Sequence, residues 1–348
     1  MQDPESAKMG QSIAVYGASG HTGRFVVAEL QRRGFVPIAI GRHAARLVSL
    51  GLPGQAVEAR VATVEEAASL DRALIGAVAV INCAGPFLDT ADALAAAAVR
   101  ARIHYLDVTP EQSSALATFE RFAAPARAAA IIMVPAMGFY GGLGDLLATA
   151  AMGDWTSADE IRIGIALDSW QPTPGTRLTG QRNTARRLVI ADEKLTPLAD
   201  PAPQVSWSFA DPFGVQDAVA MPMTETILIS RHLRTDSLHT YLNLAPLRDL
   251  RDPSTPPPSP ADDMGRSSQT FLIEVIVRKG LVERRASAQG RDIYAFTAPL
   301  VVEAVQRILA GAVDNLGSES GVFAPGEIFD AADFLRSLAP DHLRLEIG

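Results

Sequence analysis

The chain has 348 residues, 48% of them hydrophobic, enough material for two cores, since single cores usually stop growing near about 250 to 300 residues. Its formal net charge is −8 and it has no basic run that could track phosphates, so no nucleic-acid partner is expected. Cys83 is the only cysteine, which excludes an internal disulfide and a zinc site of several thiolates.

The N-terminus, MQDPESAKMGQS, is polar and acidic where a signal peptide would be basic and then apolar. No stretch reaches the roughly 18 uninterrupted apolar residues that a bilayer span needs. A soluble, cytoplasmic protein without a membrane partner is the expectation.

Residues 12 to 134 alternate short apolar runs with longer amphipathic ones. SIAVYG, VPIAIG, QAVEAR, AVAVINCA, IHYLDV and AIIMVP read as strands; TGRFVVAELQRRG and TADALAAAAVRAR read as helices between them. Short β-rich runs joined by crossovers of about ten or more residues predict a parallel sheet covered by helices on both faces, an α/β doubly wound Rossmann domain over 10–135. From about 155 the strand candidates lengthen and alternate: EIRIGIALDSW, TETILIS, LHTYLNLA, QTFLIEVIVRKG and LVERRASAQG. TRLTGQRNTARRLVIA is the main helical candidate there. A second, α+β domain on a mixed or antiparallel sheet is expected over 136–290, for substrate or oligomer contacts. The proline-rich stretch 251–268 reads as an exposed loop, with a lid or an oligomer contact as the competing reading. TAPLVVEAVQRILAG and DAADFLRSL read as helices of a C-terminal segment, 291–348, with DAADFLRSL ending the chain.

The stretch IAVYGASGHTGR places Gly17, Gly20 and Gly23 between a strand and a helix. In that geometry Gly17 permits a tight turn, Gly20 lets a pyrophosphate approach the backbone, and Gly23 lets helix pack on strand; the helix N-terminus faces the phosphates. A ligand-free structural turn is the competing reading. At the end of the second strand an NAD site usually carries an acidic residue for the ribose hydroxyls; here Gly41 and Arg42 stand there. A guanidinium binds a 2′-phosphate through two parallel hydrogen bonds, so NADP(H) is preferred, unless Arg42 only caps a surface helix. In INCAGPF, Ala84 and Gly85 are small enough for a nicotinamide ribose to pass, and Pro86 fixes the turn. Cys83 lacks a basic neighbour in sequence and reads as a small buried hydrophobe before a nucleophile.

These motifs, GASGHTGR, IGRHAARL and VINCAGPF, together with HYLDVTPE and VPAMGFYGGLGDLL, resemble the saccharopine dehydrogenase-like oxidoreductases. RDIYAFTAPL and GVFAPGEIFDAADFLRSL extend the likeness more weakly, and residues 155–285 match in general character only. The resemblance implies a dinucleotide-binding Rossmann domain, an α+β domain and final helices that pack back on the first domain. It also implies NADP(H), with the glycine motif carried onto Gly17, Ala18, Ser19, Gly20, His21, Thr22 and Gly23, the 2′-phosphate role onto Arg42, and Asn82, Cys83, Ala84, Gly85 and Pro86 along the cofactor. Two departures stand out. Relatives often read DxxGE where this chain has Asp107 to Glu111 with Pro110 inside, and GFDS-like residues where it has Gly138 to Gly141.

Hydride transfer needs a group to orient the C=N, C=C or C=O bond and handle a proton. Tyr140, after the sixth strand, is the first candidate, against a buried phenol satisfied by backbone. Asp107, after the fifth strand, is a second candidate against a turn-forming aspartate. Arg177 and Arg182 are candidates for a substrate carboxylate, against solvated helix residues. Asp145 reads as a helix cap before a site residue. His21 is placed beside the cofactor, and His104, His232 and His239 lack metal-ligand spacing, so no metal site is expected. The expected activity is that of an NADPH-dependent reductase acting on a small metabolite; the alternative is an NADP(H)-binding sensor without turnover. Two-domain reductases of this kind are often homodimers.

Overall fold

The computed structural model describes residues 10–47, 50, 55–313 and 319–348; the polar N-terminal stretch lies, through residue 9, outside them. In chain order the elements are β1 (Ser12–Tyr16), α1 (His21–Arg32), β2 (Val36–Gly41), β3 (Glu58–Val61), α2 (Ala67–Ala73), β4 (Ala79–Asn82), α3 (Phe87–Ala101), β5 (His104–Asp107), α4 (Gln112–Ala129) and β6 (Ile132–Val134). Then come α5 (Gly144–Met152), β7 (Ala158–Leu167), α6 (Pro174–Arg182), β8 (Leu188–Ala191), β9 (Lys194–Pro197), β10 (Gln204–Ser208), β11 (Val215–Ala220), α7 (Thr224–His232), β12 (Thr235–Asn243) and α8 (Leu244–Arg251). The chain closes with β13 (Thr270–Lys279), β14 (Val282–Arg291), α9 (Ile293–Leu309), β15 (Gly321–Val322), α10 (Pro325–Ile328), α11 (Ala331–Leu338) and β16 (Leu343–Ile347). Two compact units divide it: the chain up to Gly138 with Thr297–Phe323, and Phe139–Phe296 with Ala324–Gly348.

The first unit holds a seven-stranded sheet in the order β15-β6-β5-β4-β1-β2-β3, every pair parallel. Ile13, Ala14, Val15, Ile38, Ala39, Ile40, Val80 and Ile81 are at most 1% exposed, so the inner strands are covered on both faces, as a parallel sheet requires. Strand order reverses between β1 and β4, and the register sets Tyr16 beside both Ile40 and Asn82, with Asn82 beside Asp107. The carboxyl ends of four strands therefore finish level, at the switch point where ligands sit in such sheets. Helix α1 is tied to α9 by charge: Glu29 takes Arg32 and Arg33 at 2.7 Å each, and Arg33 also pairs with Glu303, which takes Arg307 at 2.7 Å. Burial opposes the Glu303 charge, but Arg307 and Arg33 outweigh it and hold that carboxyl below the usual range.

The second unit is built on a mixed sheet in the order β10-β11-β12-β7-β13-β14-β16, with the β8–β9 hairpin on β12. Only β7 and β12 run parallel; the other neighbours are antiparallel. Several sequence expectations change here. TETILIS is not a strand but most of helix α7, which has Thr224, Glu225, Thr226, Ile227, Leu228 and Ile229 buried in succession. A helix covered on all sides loses its polar stripe, and short runs of this kind cannot be told from strands by period. TRLTGQRNTARRLVIA divides into α6 and strand β8. The chain ends not on DAADFLRSL but on β16, which pairs with β14. Among the described residues no helix is long and apolar enough to cross a membrane, and no group of three or more His, Cys, Asp or Glu side chains could hold a metal ion.

Segment 324–328 is fastened inside the second unit by Asp145. That side chain is fully buried; one oxygen meets His232 Nε2 at 2.7 Å and the other accepts from Gly326 N at 2.6 Å. Asp145 is thus no helix cap: the N-cap of α5 is Leu143, without a side-chain bond. Burial alone would lower the His232 pKa, but the Asp145 charge and hydrogen bond, with Glu327, raise it on balance. A Cβ on Gly326 would meet Thr149 Oγ1 at 2.2 Å and His232 Cε1 at 2.7 Å.

Gly326→Ala should therefore destabilise the protein by about 1–3 kcal/mol through overpacking, read as a lower midpoint in chemical denaturation. A raised folded pKa means that protonation favours the fold. The His232 contribution is complete below the ordinary histidine value of 6.5 and is lost as pH rises through the raised value. Between about pH 6 and pH 9 the wild-type Tm should fall more than that of His232→Gln, and parallel profiles would remove the pair from the stability account.

Candidate functional site

The glycine turn is built by close approach. Gly17 has φ +80°, and a Cβ there would lie 2.9 Å from Ala84 Cβ and N. A Cβ on Gly23 would lie 2.3 Å from Gly17 O, so helix α1 packs against the turn at a distance only glycine permits. Gly17 N and Ala18 N donate to Ile40 O, and Gly20 N donates to Gly17 O. Gly20 is the N-cap of α1, with no side-chain cap and no acidic residue in the first turn. The helix N-terminus thus keeps its partial positive charge, and the residues fit a dinucleotide pyrophosphate there. Ala18 and Gly23 are buried, Ser19, His21 and Thr22 half-buried and Gly20 exposed; the His21 ring stands edge-on to Phe25 at 5.3 Å. Arg42 follows β2 directly and is exposed. Its charge acts on the Tyr16 phenol at the end of β1, whose pKa burial raises, Arg42 lowers and Glu65 raises, with the net shift upward.

The loop after β4 is shaped by buried polar groups. Asn82 Oδ1 accepts from Ala84 N at 3.0 Å, Asn82 Nδ2 donates to Thr90 Oγ1 at 3.1 Å, and Thr90 Oγ1 donates to Ala84 O at 2.6 Å. Cys83, Ala84 and Gly85 are left half-buried beside the glycine turn, while Pro86 is buried as the N-cap of α3. Burial pushes the Cys83 thiol far up and Asp107 adds to it, so no reactive thiolate forms. Glu111, 0% exposed, takes the N–H groups of Phe87 at 2.8 Å and Leu88 at 3.0 Å, closing the N-terminus of α3. Asp107 is also 0% exposed: Oδ1 accepts from Thr109 N and Ala136 N, and Oδ2 from the Tyr105 hydroxyl. Three donors on one carboxylate describe the turn-forming role rather than the chemical one. Reaching a substrate would cost those bonds, roughly 1–3 kcal/mol each when left unmade.

In the second unit the polar groups converge elsewhere. Tyr140 lies on a π-helical turn, Phe139–Leu143, ahead of α5. Its Oη is buried and meets no hydrogen-bond partner in the described residues. Burial, Tyr294 and Glu225 push its pKa well up, with Arg187 opposing, so the phenol keeps its proton. Its ring lies 5.5 Å from that of Trp170, whose indole N–H donates to Tyr294 Oη at 3.0 Å; Tyr294 Oη is also 2.8 Å from Thr176 Oγ1. The turn before α7 gathers the remaining members. Arg187 Nη1 donates to Pro222 O at 2.8 Å and contacts Met223 Sδ at 2.9 Å. Thr224 Oγ1 donates to Tyr140 O at 3.1 Å, and Glu225 Oε1 accepts from Met223 N at 3.0 Å and Thr240 Oγ1 at 2.6 Å. Glu225 is 1% exposed, and its Oε2 has no partner in the described residues.

Arg187, Glu225, Trp170 and Tyr294 were not among the sequence candidates. One signal was available: a glutamate inside an otherwise apolar and small run, just after Pro222, is a charge with nowhere to go but inward. The arginines that were candidates both lie on α6. Arg177 donates to the carbonyls of Leu250, Asp252 and Thr255, fastening the start of the proline-rich loop, and Arg182 is exposed at the end of α6. His104 accepts from Ile132 N at 3.0 Å, and His239 stands 6.3 Å from the Tyr241 ring.

Residues 13–131 match the family model described as saccharopine dehydrogenase NADP binding domain. No curated protein matches the chain. Among solved structures the chain is similar to apo histidine-tagged saccharopine dehydrogenase (L-Glu forming) from Saccharomyces cerevisiae, with a TM-score of 0.66 at 12% identity over 97% of this chain and 100% of that one. It is also similar to GenD2 from gentamicin A biosynthesis in complex with NAD, with a TM-score of 0.42 at 12% identity over 97% of both chains. The likeness to saccharopine dehydrogenase is one of fold. Residues 13–131 are therefore similar to the saccharopine dehydrogenase NADP binding domain, on a chain whose fold is like that of the yeast saccharopine dehydrogenase over 97% of its length.

Proposed function

We propose that the protein is an NADPH-dependent oxidoreductase that reduces a C=N, C=C or C=O group of a small metabolite, with the dinucleotide held by the first unit and the metabolite by the second. The observation that carries this reading is the Gly17 turn at the switch point of an all-parallel sheet, followed by α1 with an uncapped N-terminus. The choice of NADPH rests on Arg42, exposed at the end of β2 where an acidic residue would repel a 2′-phosphate.

When bound, NADPH supplies the hydride. The chain must fix the acceptor group and deliver a proton to the atom that gains charge. Tyr140 suits that role because its hydroxyl is desolvated, protonated and unsatisfied, so an acceptor atom on the metabolite relieves the buried donor. Tyr140 would give its proton to the metabolite atom that gains charge, and solvent would return a proton to Tyr140. Polar groups converging on Tyr140 favour turnover over a sensor that only binds NADP(H).

Arg42→Ala is expected to weaken NADPH binding by about ten- to a hundredfold while leaving NADH binding nearly unchanged, as measured by fluorescence titration of the nicotinamide. Equal losses for both would sink the 2′-phosphate assignment. Tyr140→Phe should lower the turnover of NADPH by roughly a hundredfold or more with its affinity unaltered, and unaltered turnover would take Tyr140 out of the reaction.

A further inference from the structure

The turn Met221–Glu225 carries contacts to one cationic, one acidic and one neutral residue. Arg187 is anchored through Nη1 to Pro222 O and Met223 Sδ. Glu225 is anchored through Oε1 to Met223 N and Thr240 Oγ1. Tyr140 is anchored through its backbone carbonyl to Thr224 Oγ1. Two of these anchors leave a polar atom over. Among the described residues, Tyr140 Oη is a donor without an acceptor and Glu225 Oε2 is an oxygen without a donor. A Cβ on Gly144 would lie 3.0 Å from Glu225 Cβ, so the start of α5 packs closely on α7 at Glu225. Arg187, Glu225 and Tyr140 act on one another electrostatically.

We propose that this cluster is a recognition site for an uncharged carbonyl group with an N–H or O–H donor beside it, and that Glu225 is the specificity residue that turns carboxylates away. The inference rests on the reading that the second unit holds the metabolite, and it names the chemical class of that metabolite. A carbonyl oxygen satisfies Tyr140 Oη, and the neighbouring N–H or O–H satisfies Glu225 Oε2. Both orphaned atoms are then paired, which is what buried polar groups require. A carboxylate would satisfy Tyr140 but set its own charge against Glu225, and it has no proton to offer Oε2. Arg187 is attractive to a carboxylate in isolation; Glu225, whose own pKa burial raises against the hydrogen bonds from Thr240 and Met223, offsets that attraction. The Trp170 ring beside Tyr140 suits a flat, conjugated carbonyl compound.

Benzamide and benzoate have the same shape and differ in charge and in the N–H donor, so they make the test. Their binding to the full-length wild-type protein is to be measured by ligand-observed NMR or calorimetry, with NADPH absent. Benzamide should bind at least about tenfold more tightly than benzoate, the order of discrimination a desolvated charge gives. In Glu225→Gln, checked for folding by circular dichroism, the benzoate-to-benzamide ratio should rise by about tenfold or more, because Arg187 is no longer balanced. Adding Tyr140→Phe should weaken benzamide. Wild-type protein that prefers benzoate, or that binds neither probe, overturns the proposal without any variant. So does an unchanged ratio in folded Glu225→Gln. None of these failures touches the Arg42 result, so loss of this inference and loss of the NADPH reading are separately visible.

Discussion

The structure of the first unit depends on one close approach: the carbonyl of Gly17 stands where a side chain on Gly23 would have to be. That contact sets how far α1 can slide towards β1. With no Cβ at Gly17 either, Ala84 of the neighbouring loop closes in from the other side. The result is a glycine turn at a helix N-terminus, the arrangement that receives phosphate. Everything around it keeps that backbone in place: Ile40 O takes the turn amides, Asn82 and Thr90 brace Ala84, and the charge network of Glu29, Arg33 and Glu303 holds the far end of α1 to α9.

The second unit solves a different problem, the housing of carboxylates in an apolar interior. Asp145 and Glu225 are both at most 1% exposed, and burial of an unpaired carboxylate is too costly to be tolerated without donors. Asp145 meets that requirement on both oxygens, through His232 and the amide of Gly326, and so fastens a distant part of the chain. Glu225 meets it on one oxygen only. The difference is what separates a clasp from a site.

The first unit was legible in sequence because its signals are local. A parallel strand buried on both faces is a plain apolar run, a crossover helix shows its stripe, and a glycine spaced for a turn is visible as a letter. The resemblance to the saccharopine dehydrogenase-like proteins was carried mostly by the same stretches, with VPAMGFYGGLGDLL running on into the second unit. The second unit hid what matters in it. Helix α7 is covered all round, so TETILIS lost the 3.6-residue stripe that would have marked it. Strand β16 does alternate, as LRLEI, but so short a run gives no partner until β14 is in place. Arg187 stood inside a stretch read as one helix, although the β-branched pair in LVIA marked strand β8 just beyond it.

Asp107 and Tyr140 show why residue type and chain position are not enough to choose between a structural and a chemical role. Asp107 ends β5 and Tyr140 follows β6 on a π-helical turn, and both belong to types that handle protons. Asp107 has a donor for each oxygen and one to spare, so its bonding capacity is taken up by Thr109, Ala136 and Tyr105. Tyr140 has its ring packed against Phe139 and Trp170 and its hydroxyl unmatched. A fold that aligns dozens of buried polar groups with partners leaves an orphaned donor at a cost of roughly 1–3 kcal/mol. A ligand that arrives with the missing acceptor recovers that cost on binding. The unmatched hydroxyl, with the unmatched oxygen of Glu225 in electrostatic reach, is therefore the feature from which the chemistry of the second unit is to be read.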